Sequence, residues 1–368
     1  MSNIMDYLVW RGDLDWNVSA FNEVDNVILS ELVYVDFSDI VPGIGGESIS
    51  LAEANERFFA QHTEEEINAR VSSTKMAAFM MREMAETKRY KDIRLANYIN
   101  DIRLDEQSQF CAMTVELGDG FCNVVYSGTD STIVGWKEDF NMSFLTATPG
   151  QEESVQYLQK VAKQTKLPLR LMGHSKGGNL AVYAAVNSDR KLQDRIDIIY
   201  SNDGPGFNDF MIDPGMYRNL TDRIRSIVPE SSIVGMLFEH EEEYEVVKSS
   251  GSGAGQHDVM SWEVRGTTLV HLNHVDGKSV LVDKALKSWI GEMDEKQREV
   301  FVDTLFGILD EADIRTVDDL ANMNYTKFME LMKAKSSLDK ETQDTMRDTF
   351  LKLVQKSAKT VAEHLLNK

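Results

Sequence analysis

Apolar positions along this chain follow two periods, and the change from one to the other divides it. Over residues 22–34, Val24, Val27, Ile28, Leu32 and Val33 recur every three or four places, which lays them along one face of an α-helix. Residues 48–59, 64–71, 73–90 and 93–99 continue in that manner, and Thr63-Glu64-Glu65-Glu66 has the form of a capping box. Residues 1–110 are therefore predicted to be mostly helical. From 111 to 280, short apolar runs alternate with helical stretches. Residues 110–117 and 121–126 read as a hairpin around Gly118-Asp119-Gly120. A helix over 152–164 leads into a strand that starts near Leu169, and strands follow at 196–200 and 224–228. Residues 232–238 and 244–249 read as a strand pair or as a strand and a loop. Strands separated by crossover helices imply a mainly parallel, doubly wound α/β sheet with helices on both faces. Residues 281–368 return to the helical period. Met346, Phe350, Leu353, Val354, Val361 and Leu365 form a stripe that suits packing onto the rest of the chain or a homodimer contact.

This patterning predicts a large α/β domain over 1–290 and a C-terminal helical segment over 291–368. With 368 residues, 42% apolar and 27% charged, the chain can bury a large core. It has no run of 18 uncharged apolar residues, and the start lacks a basic region followed by an apolar one. The expectation is a cytoplasmic protein with no stable membrane anchoring. The net charge of −21 argues against nucleic acid and anionic surfaces as partners. The charge is uneven: residues 281–368 carry 14 Lys/Arg against 17 Asp/Glu, so the α/β part is the acidic part. Two cysteines, Cys111 and Cys122, flank the hairpin, where they could pair, although free buried thiols fit a reducing compartment better. Met76, Met80, Met81 and Met84 give the 73–90 helix a methionine-rich face, suited to filling core space or to forming an adaptable wall for an acyl chain.

The chemistry concentrates at Leu169-Arg-Leu-Met-Gly-His-Ser-Lys-Gly-Gly178, where a short strand runs into Gly173-x-Ser175-x-Gly177 and then into an alanine-rich helix. A serine nucleophile must sit at such a strand-to-helix bend, exposed and beside the N–H groups of a helix N-terminus. It also needs a base and an acid, carried at strand ends in the chain order Ser, Asp/Glu, His. Of seven histidines, His257 follows the glycine-rich loop 251–255 and is the candidate base, with His271 and His274 as runners-up. Their H-x-x-H spacing has no evident third ligand, so no metal and no cofactor is expected. His240, among four glutamates, reads as a solvated surface residue, and His62, His174 and His364 are set aside by position. The candidate acid is Asp203, at the end of the strand after the elbow, with Glu230 at the end of the next strand as the alternative. Asp258 is poorly aimed. The Lys176 N–H is one candidate oxyanion donor. Thr129, in Tyr126-Ser127-Gly128-Thr129, offers a second through its N–H and its hydroxyl.

Val124-Val125-Tyr126-Ser127-Gly128-Thr129, followed by Trp136 and Asp139, resembles the oxyanion segment of the fungal-type class 3 lipases, with Ser127 where those have arginine. The chain more closely resembles the bacterial Mbeg-like α/β-hydrolase family. That resemblance rests on Asn22-Glu23-Val24-Asp25-Asn26, the elbow 173–181, Asn202-Asp203-Gly204-Pro205-Gly206-Phe207, Ser232-Ile233-Val234-Gly235-Met236-Leu237, and Gln256-His257-Asp258 with Trp262. It implies an α/β-hydrolase fold with a lipase-like site and no particular substrate; a small-molecule or lipid ester is the partner expected from the elbow serine. Where the lipases place the acid, this chain has Ser232, which favours Asp203. The expected function is a serine esterase or lipase; the alternative is a non-catalytic hydrolase-fold protein that binds a ligand or partner.

Overall fold

A computed structural model describes residues 2–69, 73–103, 108–129, 137–139, 141–142, 147–207, 214–232, 234–238, 240–275, 302, 304 and 306–307. The apolar stripe of the C-terminal segment, His364 and Trp136 lie outside the described residues. Nine strands form one sheet in the order β1 (Ile49–Ser50), β2 (Arg94–Arg103), β3 (Ser108–Glu116), β4 (Cys122–Tyr126), β5 (Leu169–His174), β6 (Ile196–Asn202), β7 (Ile224–Pro229), β8 (Tyr244–Val247), and then an edge strand, His271–Leu272. Pairing from β4 through β8 is parallel, and the flanking pairs are antiparallel. The fold is that of an α/β-hydrolase, with the parallel part carrying the predicted site.

Both faces of the sheet are covered. Every residue of β3 but the last is buried, as a strand between two helical layers requires. Alternate side chains go to opposite cores. Cys111, Met113 and Val115 join α1 (Ile4–Arg11), α2 (Glu23–Leu32), α3 (Leu51–Gln61) and α5 (Met76–Ala85), the short α4 (Glu64–Ala69) lying between the last two. Phe110 and Ala112 join α6 (Pro149–Gln164) and α7 (Lys176–Val186). The two cysteines are free and sit in different cores, so they cannot pair. Met80, Met81 and Met84 are fully buried in the first core, whereas Met76 is partly exposed. No helix among the described residues is long and apolar enough to cross a membrane.

Helix α2 is buried on every side, including its polar residues. Asp25 caps its own helix by accepting from the Asn22 N–H, and it also accepts from the Tyr7 hydroxyl, the Tyr90 hydroxyl and the Arg89 guanidinium (Nε 2.9 Å). Arg89, itself fully buried, donates to the Ser19 carbonyl and lies 3.7 Å over the Trp16 ring. This network locks α1, the following loop and α2 into one body beneath the sheet.

One element differs from its expected type. Residues 93–99 were expected to be helical, but Arg94–Arg103 is a strand. A β-bulge between Ala96 and Ile99, with Asn97 at φ 54°, inserts an extra residue. Leu95 and Tyr98 therefore face the same core three residues apart, which imitates helical spacing. Residues 234–238 form turns leading to β8, so 232–249 is not a strand pair, and its strand is the second segment.

Candidate active site

The strand end of β5 and the first turn of α7 place Ser175 at φ 58°, ψ −131°, a conformation costly for a residue with a side chain. The bend closes because Gly173 and Gly177 pack against each other and against β4. A β-carbon on Gly177 would overlap the Tyr126 carbonyl oxygen, which is backbone and cannot yield. Gly177→Ala is accordingly expected to destabilise the fold by several kcal/mol, at or beyond the 1–3 kcal/mol typical of overpacking (about,), read as a lowered thermal midpoint or as insoluble protein. Ser175 itself is only half-buried.

Asp203 and His257 meet. The Asp203 carboxylate is fully buried, and its Oδ2 accepts from His257 Nδ1 at 2.6 Å. Its Oδ1 accepts from the Ser232 hydroxyl at 2.5 Å and from the Gly235 N–H at 3.1 Å. These three donors fill the carboxylate and fix its plane. With Nδ1 as donor, His257 Nε2 is left as the basic nitrogen. Glu230, the alternative acid, is half-buried at the end of β7, and the imidazole is not turned to it. Ser232 serves as a donor to Asp203.

His174 has a part that sequence reasoning missed. Its Nε2 meets the His257 carbonyl at 2.8 Å, and a carbonyl only accepts, so Nε2 carries the proton. Its Nδ1 then accepts from the Tyr34 hydroxyl at 3.0 Å. Burial, and next the nearby charge of His257, hold the His174 pKa well below the usual imidazole value, which keeps this tautomer neutral. The two imidazole rings lie 4.5 Å apart. The residue before Ser175 thus holds the backbone of the residue that carries the base. Downstream, the Gln256 carbonyl accepts from the Trp262 indole at 2.9 Å, and the Gln256 side chain accepts from the Ser231 N–H at 2.8 Å. The glycine-rich loop ends in a short 3₁₀ turn, Gly253–His257. Ser175 Oγ makes no hydrogen bond among the described residues, and in a hydrolase free of substrate a nucleophile–base contact is often longer than a hydrogen bond. Such contacts tighten when substrate is bound.

On the other side, Gly128 packs against the elbow. A β-carbon there would lie 2.6 Å from the His174 carbonyl oxygen and 3.1 Å from Ser175 Cβ. The Thr129 hydroxyl donates to Asp139 Oδ2 at 2.6 Å, so the hydroxyl is committed and the expectation that it serves as an oxyanion donor is corrected. Burial pushes the Asp139 carboxyl up to about 6, against the pull of the Lys176 charge. A raised folded-state pKa means that the folded chain keeps this proton while the unfolded chain loses it. Stability contributed by Asp139 therefore falls as pH rises from about 4 to about 6, by at most about 3 kcal/mol. Asp139→Asn is expected to be more stable than wild type above pH ~6, with the gap closing toward pH ~4 in thermal melts.

The runner-up bases are elsewhere. His271 is on the edge strand, four strands from β5 and so roughly 19 Å away at ~4.8 Å per strand. It meets Glu23 at 3.0 Å and Glu245 at 3.4 Å, a corner that the Arg225 guanidinium shares by bonding both carboxylates. His274 is exposed. His240, expected to be solvated, instead pairs at 3.2 Å with the buried Glu242, to which the Tyr217 hydroxyl also donates.

Among solved structures, lipase II from Rhizopus niveus is similar at 14% identity and TM-score 0.33, covering 47% of this chain and 72% of that one. Lip2 lipase from Yarrowia lipolytica is similar at 13% and 0.35, covering 52% and 76%. A Rhizomucor miehei lipase propeptide complex is similar at 16% and 0.34, covering 48% and 70%. No curated protein matches the chain. The model of the Mbeg1-like family matches residues 84–307, a span that holds β2 through β8, the elbow, Asp203 and His257, and the chain belongs to that family.

Proposed function

We propose that the chain is a serine hydrolase of esterase or lipase type that cleaves carboxylic or thio esters through an acyl-enzyme. The observation that carries the reading is the buried Asp203 carboxylate holding His257 Nδ1, in a chain whose elbow serine is kept at positive φ. In the reaction as proposed, Ser175 Oγ attacks the ester carbonyl carbon and passes its proton to His257 Nε2. The carbonyl electron pair moves onto oxygen, between the N–H groups of Lys176 and Thr129, each such donor contributing on the order of 10²–10³ in rate. Collapse of the intermediate expels the alcohol or thiol, which takes its proton back from His257. Water then repeats the sequence on the acyl-enzyme and releases the acid. Asp203 keeps the imidazole in the accepting tautomer and stabilises the imidazolium. The reaction as written draws on no cofactor.

The test is a panel of p-nitrophenyl acyl esters and acyl thioesters, short to long, assayed with wild type and Ser175→Ala. The reading expects turnover of at least one class by wild type and none above background by the variant. Equal turnover by the two proteins overturns it.

A further inference from the structure

The Lys176 side chain has no part in that reaction, yet it is one of the most buried cations in the molecule. Its N–H is one of the two proposed oxyanion donors, while its ammonium runs into the interior and its side chain is 1% exposed. The three ammonium protons have three acceptors: the Gln109 carbonyl at 2.8 Å, Gln109 Oε1 at 2.7 Å and Glu138 Oε2 at 2.9 Å. Glu138 is fully buried as well. Its Oε1 accepts from the Gly150 N–H at 2.7 Å, in the first turn of α6, and its Oε2 accepts from the Gln109 N–H at 3.1 Å. The pair therefore joins the elbow, β3, the 137–139 segment and the N-terminus of α6 at one point.

A buried ion pair adds little stability over apolar side chains of the same volume, because removing both charges from water costs about what their attraction returns. What this pair supplies is position. Asp139, the next residue after Glu138, takes the Thr129 hydroxyl at 2.6 Å. A continuous path thus runs from Lys176 Nζ through Glu138 and Asp139 to Thr129. Its two ends are the two residues whose N–H groups are the proposed oxyanion donors.

We propose that Lys176 and Glu138 are a positioning pair that sets the spacing of the two oxyanion donors, so that residue 176 serves the site once through its backbone and once through its side chain. This rests on the serine-hydrolase reading. A leucine or methionine at 176 would supply the same N–H, but would leave the 137–139 segment without its anchor.

Two variants of the full chain test the pair. Lys176→Met/Glu138→Gln removes both charges together, which avoids stranding one of them in the interior. Glu138→Asp keeps the charge and withdraws the carboxylate by one methylene. Each is assayed for thermal midpoint, for kcat and KM on a p-nitrophenyl ester, and for the rate of fluorophosphonate labelling, whose adduct also carries an oxyanion. Both are expected to fold, with kcat and labelling rate reduced in parallel by roughly 10–100-fold, as for a catalytic group displaced by a fraction of an ångström, and with KM little changed. Wild-type kcat and labelling rate in either folded variant overturn the proposal. So does a loss of kcat that only follows a loss of thermal midpoint. If wild type is labelled at Ser175 and the variants are labelled as fast, this proposal alone fails; if wild type is not labelled, the hydrolase reading fails and this one falls with it.

Discussion

Replacing Ser175 by alanine is expected to lower kcat for ester hydrolysis by roughly 10⁶-fold, the loss seen when a triad serine is removed. KM and the thermal midpoint should stay close to wild type. The reason is in the contacts: Ser175 Oγ makes no hydrogen bond among the described residues, and the bend is held by the glycines and by backbone bonds such as Ser175 N–H to the Asn202 carbonyl at 2.9 Å. Only the chemistry depends on the oxygen. A stopped assay with enough enzyme to see a 10⁶-fold slower rate checks it, with parallel thermal melts as the control (order of magnitude,).

The second large effect concerns Asp203. Asp203→Asn is expected to cost about 10⁴ in kcat, as when a triad aspartate is replaced by its amide. Oδ1 must still accept from Ser232 and Gly235, so the asparagine oxygen is fixed on that side and its NH₂ faces His257 Nδ1. An NH₂ there makes Nδ1 an acceptor and puts the imidazole proton on Nε2. The nitrogen that must take the serine proton is then blocked, although the geometry is unchanged. Glu230→Gln, by contrast, is expected to leave kcat within a few-fold of wild type, since His257 Nδ1 is bonded to Asp203. The opposite pattern in the two variants would transfer the acid role to Glu230.

The site was legible in the sequence where its geometry is local. A serine between two glycines, after a strand and before a small-residue helix, can close only one kind of bend, so the bend at Ser175 could be read directly. Asp203 and His257 could be read because strand ends and the loop after β8 restrict which residues reach the bend. The contacts that arise only from packing could not be read. Lys176 on the first turn of a helix looks like a solvated cation, and its anchor Glu138 lies 38 residues earlier in the chain. Tyr34 closes the predicted helix 22–34 as an ordinary aromatic, yet its hydroxyl fixes the His174 tautomer across 140 residues. The Thr129 hydroxyl looked free until Asp139 was brought against it. In the fold, among the described residues, the helix expected over 93–99 was misread because of the bulge in β2, which shifts an alternating pattern to a three-residue step. Periodicity alone cannot separate that step from a helix.

The central claim is that one oxygen, on Ser175, is the nucleophile of the whole chain and is driven by His257. It is tested most directly by treating folded wild type, Ser175→Ala and His257→Ala with a fluorophosphonate and mapping the adduct by mass spectrometry. The account predicts a single adduct on the peptide carrying Ser175 in wild type, none in Ser175→Ala, and labelling slowed by orders of magnitude in His257→Ala. An unlabelled, correctly folded wild type would contradict it, as would an adduct that survives the loss of Ser175.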